Sequence, residues 1–352
     1  MIQTQLPAGC RMPAEWEPHA ATWIAWPHER DDWPGKFDAI VWVYAEIVRH
    51  LHRSEPVRIL VNSDSAREEA TAVLEFISPD WERIEFFEIL TDRVWTRDYC
   101  PLFVKAPDGS VIATDWLFTG WAKYPNHRYD DAVTEQLCER LGLPRYQPML
   151  DGRRIVLEGG AIDVNGQGLL LTTEECLLSP IQARNPGLGR DDLEQVLRQT
   201  LGVEKILWLG NGIAGDDTHG HVDDLARFVD ANTVVLAVED NSEDPNFAPL
   251  QDNLRRLRGQ TDRSGRVLEV VPLPMPEPLT AQGVRLPASY ANFYIANEVV
   301  LVPTFNDPAD RQALGILADL FPRRKVVGIH AVDLVWGLGT LHCLTQQQPL
   351  SG

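Results

Sequence analysis

Ile155-Val156-Leu157-Glu158-Gly159-Gly160 is an apolar run that stops at a carboxylate and two glycines. A carboxylate at the end of a buried strand is costly unless it is paired or used. The glycines let another group approach it closely. The plain alternative is a turn with a solvent-facing Glu158. Three further polar clusters follow strand-like segments: Asp98 in Trp95-Thr96-Arg97-Asp98-Tyr99, His221 in Gly220-His221-Val222-Asp223-Asp224, and Cys343 in Leu341-His342-Cys343. The separations are 60 residues (98 to 158), 63 (158 to 221) and 122 (221 to 343), the last close to two such steps. A period of this size indicates repeated supersecondary units whose loops converge on one centre. Coincidence among four chosen points is the alternative.

Helical and strand-like segments alternate on both sides of these clusters. Lys36 to Arg53 places Phe37, Ile40, Val41, Tyr44, Ile47, Val48 and Leu51 on one stripe at helical spacing. Asp64 to Ile77 follows Asn62-Ser63, which can cap it. Asp130 to Leu141, Arg190 to Leu201, Ala248 to Leu257 and Ala309 to Phe321 are also expected as helices. Short apolar runs predict strands at Thr22 to Trp26, Val57 to Val61, Ile84 to Ile89, Leu169 to Thr172 and Lys205 to Leu209. More are expected at Thr233 to Val238, Val267 to Val271, Val299 to Val302 and Lys325 to Ile329. Asn241 to Asn246 and the proline-rich Pro272 to Pro278 are expected as loops. The class is therefore α/β. With no long linker, a single domain over 1–352 is expected.

Acidic residues outnumber basic ones 51 to 32, a formal charge of -19. That argues against binding nucleic acid or an anionic membrane through a general field, and it is compatible with a cationic substrate. No uninterrupted apolar stretch reaches the ~18 residues a membrane helix needs. Met1 to Cys10 lacks the pattern of a secretory leader. The five cysteines, Cys10, Cys100, Cys138, Cys176 and Cys343, lie far apart. They read as free thiols in a reducing compartment, hence a cytoplasmic protein.

Cys343 follows Gly337-Leu338-Gly339-Thr340, a loop that can bend sharply against a ligand. It is a candidate nucleophile, or else a buried small hydrophobe. If His221 to Asp223 is extended, a base and a carboxylate point to one side. The same run, His219-Gly220-His221-Val222-Asp223, also has the look of three metal ligands, which would make a zinc hydrolase. If Trp95 to Asp98 is extended, Asp98 faces the cavity and Arg97 makes a structural ion pair. Together these segments offer a thiol, an imidazole and three carboxylates, with no Lys or Arg required at the same centre. Such a pocket favours a planar cation, for a guanidinium donates paired hydrogen bonds to carboxylates.

The chain resembles the agmatine deiminase and bacterial-type (Porphyromonas-type) peptidylarginine deiminase family. The resemblance is carried by Met12-Pro13-Ala14-Glu15-Trp16-Glu17-Pro18-His19, Trp23 to Pro27, Trp95 to Asp98, Leu157 to Gly160 and Leu171 to Leu178. It continues through Arg184-Asn185-Pro186, Gly220 to Asp223, Ser289 to Tyr294 and His342 to Gln347. It implies the pentein fold, five ββαβ units with pseudo-five-fold symmetry around a central site, in keeping with the spacing above. It also implies Cys343 as nucleophile, His221 as general acid/base and Glu158 as its supporting carboxylate. Asp98 and Asp223 would grip the guanidinium, Asp217 would lie near the substrate's far end, and Trp95 would line the pocket. No metal or organic cofactor is required, and a homodimer is expected. The substrate implied is agmatine, with free arginine, peptidyl-arginine or a guanidino acid as alternatives. Three positions depart from the family pattern: Cys100 where Gly is usual, Thr340 where Asn is frequent, and Asp224 where many members have Asn.

Overall fold

The stripe from Phe37 to Leu51 is buried along one side of a single helix, Phe37–Leu51. Asp64–Glu75 begins where Ser63 accepts a hydrogen bond from the Ala66 amide. Pro308–Leu320 carries both expected start signals, proline in its first turn and Asp307 accepting from the Ala309 amide. Arg190–Leu201 ends at Gly202, whose left-handed φ of +66° closes the last turn against the backbone of Cys10 and Arg11. The computed structural model describes residues 2–3 and 5–352, so Met1 and Thr4 of the N-terminal stretch lie outside the described residues.

Among the described residues, five sheets share one local order: a strand, its antiparallel neighbour, and a parallel strand reached through helix. Asp163–Val164 pairs antiparallel with Leu169–Thr173, and Lys205–Leu209 follows in parallel after Arg190–Leu201. Ala226–Phe228, Thr233–Val238 and Glu269–Pro274 repeat this around Phe247–Leu257. Tyr294–Ile295, Val299–Thr304 and Lys325–His330 repeat it around Pro308–Leu320. Leu102–Lys105, Val111–Thr114 and Arg145–Tyr146 form the fourth, edged by Ile2–Gln3. In the fifth, Gln346–Pro349 pairs with His19–Ala25, followed by Val57–Val61 and Ile84–Glu88. An early strand, His19–Ala25, and the last one, Gln346–Pro349, thus share a sheet. The largest apolar cluster joins Trp23, Ile24 and Leu60 to Tyr294, Leu301 and Leu344. Each such side chain taken from water contributes ~1.5–3 kcal/mol.

Two expectations need correction. Pro272 to Pro274 is strand, not loop, and the ladder begins at Glu269 rather than Val267. Glu269–Pro274 is an edge strand bonded on one side only. Prolines two residues apart turn the same way, so both missing N–H groups can face the open edge. Ile155 to Leu157 is not a regular strand either; Val156 makes a single bridge to Leu117. The polar clusters instead lie just before the first strand of each sheet. Asp98 precedes Leu102–Lys105, Glu158 precedes Asp163–Val164, His221 precedes Ala226–Phe228 and Cys343 precedes Gln346–Pro349. The corresponding place before Tyr294–Ile295 holds Asn292. It divides the 122-residue gap into 71 (221 to 292) and 51 (292 to 343).

Candidate active site

The entry segments are short turns, not extended chain. Thr96–Tyr99 is one turn of helix, and Val222–Asp224 is one turn of 3-10 helix after an extended His221. Successive residues in a turn diverge, so Arg97 and Asp98 still part company, as expected from a different geometry. Arg97 goes to the interior, 3.3 Å from Glu15, with Nη1 donating to Gln347 at 2.7 Å. Asp98 turns to the centre, where Oδ1 accepts from the Gly160 amide and Oδ2 from the Trp121 indole, both at 2.9 Å.

Asp98, Glu158, His221, Asp223 and Cys343 meet in one buried cluster. His221 Nδ1 is 3.9 Å from Asp98 and its Nε2 is 3.8 Å from Glu158. The sulfur of Cys343 is 3.7 Å from Asp223 Oδ2. Gly160 makes the approach possible: a Cβ there would lie 2.5 Å from His221 Nδ1 and 3.1 Å from Asp223. Four polar residue atoms here have no protein partner, namely both ring nitrogens of His221, Glu158 Oε2 and Asp223 Oδ1. Buried polar groups are seldom left so, and their convergence marks where a ligand's own donors and acceptors belong.

Above this centre is a cavity of about 420 Å³, whose lining includes Trp95, Asp98, Trp121, Tyr124, Asp217 and Cys343. Trp95 packs beneath Gly339, where a Cβ would come within 2.8 Å of the indole. Asp217 stands farther out, paired with Lys123 and accepting from the Tyr124 hydroxyl at 2.6 Å.

Charges around the cluster settle most protonation states. Burial favours a neutral Glu158, but Arg184 and His221 outweigh it and hold the carboxyl down at about 2. Burial opposes charge on His221, yet Asp98, Cys176 and Glu158 hold its imidazole well above the ordinary value. Burial, then Asp223, Asp224 and Asp98, push the Cys343 thiol well above its usual range. Without ligand the pair is therefore imidazolium and thiol. A cation placed among the acids reverses the pressure on the sulfur.

Several functional neighbours were not singled out from sequence. Arg184 Nε donates to Glu158 Oε1 at 3.0 Å, both side chains fully buried, so the expectation of no cation at this centre is wrong. Three acids packed together need a counter-charge. His342 lies between Asp223 Oδ2 (2.7 Å) and Glu15 Oε2 (2.8 Å). Both carboxyls sit below their ordinary values, burial being outweighed at Asp223 by the His342 hydrogen bond and at Glu15 by Arg227 and His342. The ring thus bridges the two carboxyls, one through each nitrogen. It fixes Asp223 by Oδ2 and leaves Oδ1 free for a ligand. The proposed metal run is not assembled. His219 turns away to Ser179 at 3.0 Å, and among the described residues the close ligand-type groups are Glu158, Cys176, His221 and Asp223, Asp224, Cys343. Cys100 is buried and does not line the cavity, and burial followed by Asp130 pushes its thiol well up.

Removing one partner of a buried pair strands the other's charge. Arg184→Ala is therefore expected to cost about 3–5 kcal/mol in urea unfolding at neutral pH. Glu158's contribution is full above its ordinary value and fades as pH falls towards about 2. In the variant the carboxyl is held down less, so this contribution should shrink and the acid loss should become shallower. Unchanged stability and an unchanged acid limb would remove Arg184 from this role.

The model of the Porphyromonas-type peptidyl-arginine deiminases matches residues 11–349. The chain belongs to that deiminase family. Within reach of it is the agmatine deiminase of Pseudomonas aeruginosa (strain LESB58), 38% identical, covering 97% of this chain and 96% of the relative. The structure of Enterococcus faecalis agmatine deiminase superposes with a TM-score of 0.88 at 34% identity, over 97% of this chain and 96% of that one. A Cys-to-Ser form of C. jejuni agmatine deiminase, solved with substrate bound, superposes with a TM-score of 0.86 at 29% identity over 99% of each chain. None of the described helices of this deiminase-family chain is long and apolar enough to cross a membrane.

Proposed function

We propose that the protein hydrolyses agmatine to N-carbamoylputrescine and ammonia through a covalent amidino-cysteine. The observation that carries this is the convergence of Cys343 Sγ with the unpartnered atoms of His221, Glu158 and Asp223 at the base of an acidic, tryptophan-lined cavity. The guanidinium is gripped by Asp98 and Asp223, with its carbon over the sulfur, and its charge draws the thiol towards thiolate. The thiol proton passes to solvent as the cation enters, and the thiolate sulfur attacks the carbon. Imidazolium His221 protonates one NH₂, which leaves as ammonia, and a thiouronium on Cys343 remains. Neutral His221, steadied by Glu158, then takes a proton from water as the oxygen attacks that carbon. Collapse breaks the C–S bond and releases the ureido product. Trp95 forms a wall beside the planar cation.

The far end of the cavity favours an amine over a carboxylate. Its lining carries Asp31, Asp32 and Asp217 against Arg93, which is paired with Asp32 and stacked 4.4 Å from the Tyr124 ring; Lys123, outside the lining, pairs with Asp217, so the wall keeps an acidic excess. Asp217 receives the ammonium in this reading. Free arginine, peptidyl-arginine and guanidino acids would bring a carboxylate or carbonyl to an acidic wall.

The five sheets of common order are read as the five ββαβ units of a pentein, arranged with pseudo-five-fold symmetry in one domain over 1–352. The pairing of His19–Ala25 with the last strand, Gln346–Pro349, supports a closed ring. The enzyme is proposed to be cytoplasmic and to work as a homodimer, which sedimentation would test.

Ammonia release from a guanidino panel decides the function. Agmatine should exceed arginine, arginyl peptides and guanidino acids in kcat/KM by at least tenfold, with iodoacetamide abolishing activity and EDTA leaving it intact. Preference for a peptide would reject the substrate, and loss with EDTA but not iodoacetamide would reject the thiol chemistry.

A further inference from the structure

Asn292 occupies the fifth entry segment, and the deiminase chemistry above gives it no part. Its side chain is fully buried, and its two ends do different work. Oδ1 accepts from the Thr340 hydroxyl at 2.8 Å, the His342 amide at 3.0 Å and the Cys343 amide at 3.3 Å. These bonds tie down the turn that presents the sulfur. They also settle which end of the amide is oxygen, because backbone N–H groups only donate. The nitrogen, Nδ2, is then left 3.1 Å from Cys343 Sγ and 3.0 Å from Asp224 Oδ1. An amide nitrogen has two hydrogens and two acceptors here to receive them.

We propose that Asn292 is a catalytic residue, donating through Nδ2 to the Cys343 sulfur a hydrogen bond that is stronger to thiolate than to thiol. The proposal rests on the reading of Cys343 as nucleophile. Its physical need is plain. Asp98 on the turn before Leu102, and Asp223 and Asp224 on the turn before Ala226, all press the sulfur towards its neutral form. The nearby imidazoles, His221 and His342, face Asp98, Glu158, Asp223 and Glu15. Among the described residues Nδ2 is the side-chain donor aimed at the sulfur. It is preorganised, because the opposite end of the same amide is anchored three times, so little rearrangement accompanies charge formation. Thr340 and Asp224, two of the positions that depart from the family pattern, both bond this one amide.

Asn292→Asp separates the two functions, since it keeps an oxygen for the three clamping donors and removes the N–H at the sulfur. Asn292→Ala removes both without adding charge. Two readouts are needed: the pH dependence of Cys343 alkylation by iodoacetamide without substrate, and kcat and KM for agmatine. In both variants kcat should fall ~10²-fold or more, as for loss of one preorganised donor. KM should change less than threefold. The alkylation midpoint should move to higher pH, farther in Asn292→Asp than in Asn292→Ala. A scaffold role would lower the melting temperature and leave that midpoint in place, which overturns the proposal. So would kcat within threefold of the parent, or failure of both variants to fold. Absence of guanidino turnover in the parent enzyme would sink the deiminase reading instead, and leaves the alkylation shift measurable.

Discussion

Cys343→Ala is expected to lower agmatine hydrolysis by ~10⁴-fold or more while leaving agmatine bound within a few-fold of the parent affinity. The asymmetry follows from what the sulfur touches. In the proposed mechanism Asp98, Asp223 and the cavity wall hold the cation, and the substitution leaves the bonds that orient both carboxylates in place. Binding can even tighten, since a neutral methyl asks nothing of the guanidinium. The chemical step has no substitute nucleophile in the cavity: Cys176, beside His221 and Glu158, and the buried Cys100 do not line it. Calorimetry of agmatine with the variant reads binding, and ammonia release reads turnover. Intact-mass analysis of the parent during turnover should show an amidino adduct that the variant never forms. Turnover above one per cent of the parent, or an adduct on the variant, would remove Cys343 from its place.

The site's membership was more legible in sequence than its wiring. Asp98, Glu158, His221 and Cys343 could be picked out because each is a polar interruption next to an apolar run at a near-regular interval. Helices such as Phe37–Leu51 were legible because one apolar stripe must be buried. The partners that set charge were not legible. Arg184 meets Glu158 from 26 residues away, and Glu15 meets His342 from 327. No local periodicity encodes such pairings; they arise when separate units present their loops together. Asn292 was hidden for a related reason. Its segment interrupts an otherwise apolar Tyr290 to Ile295 with a neutral amide, a weaker signal than a buried charge. The double-length gap between His221 and Cys343 was the available pointer. Turn geometry at Trp95 to Asp98 and His221 to Asp223 was misread because alternation and a single helical turn both separate adjacent side chains.

His221→Asn should retain agmatine binding and lose ~10³–10⁴-fold in kcat, at the upper end of what one positioned proton carrier supplies. In the proposed mechanism the imidazole serves twice, first as acid to the departing nitrogen and then as base to water, so neither half-reaction should be spared. The pH profile gives the sign. In the parent, burial is outweighed by Asp98, Cys176 and Glu158, so the ring stays protonated well past its ordinary value and the acid is loaded at neutral pH. Activity should therefore fall on the alkaline side as that proton is lost, and the residual activity of the variant should lack that limb. A burst of one ammonia per site followed by arrest would show that only the second, water-activating role had been removed. The double variant Cys343→Ala, His221→Asn is the sharper measurement. Groups acting on one covalent path are strongly non-additive, because once the nucleophile is gone the acid has no adduct to resolve. Its rate should match Cys343→Ala within about threefold. Independent, multiplying losses would mean that sulfur and imidazole serve different reactions, and the common pathway assigned to them would fall.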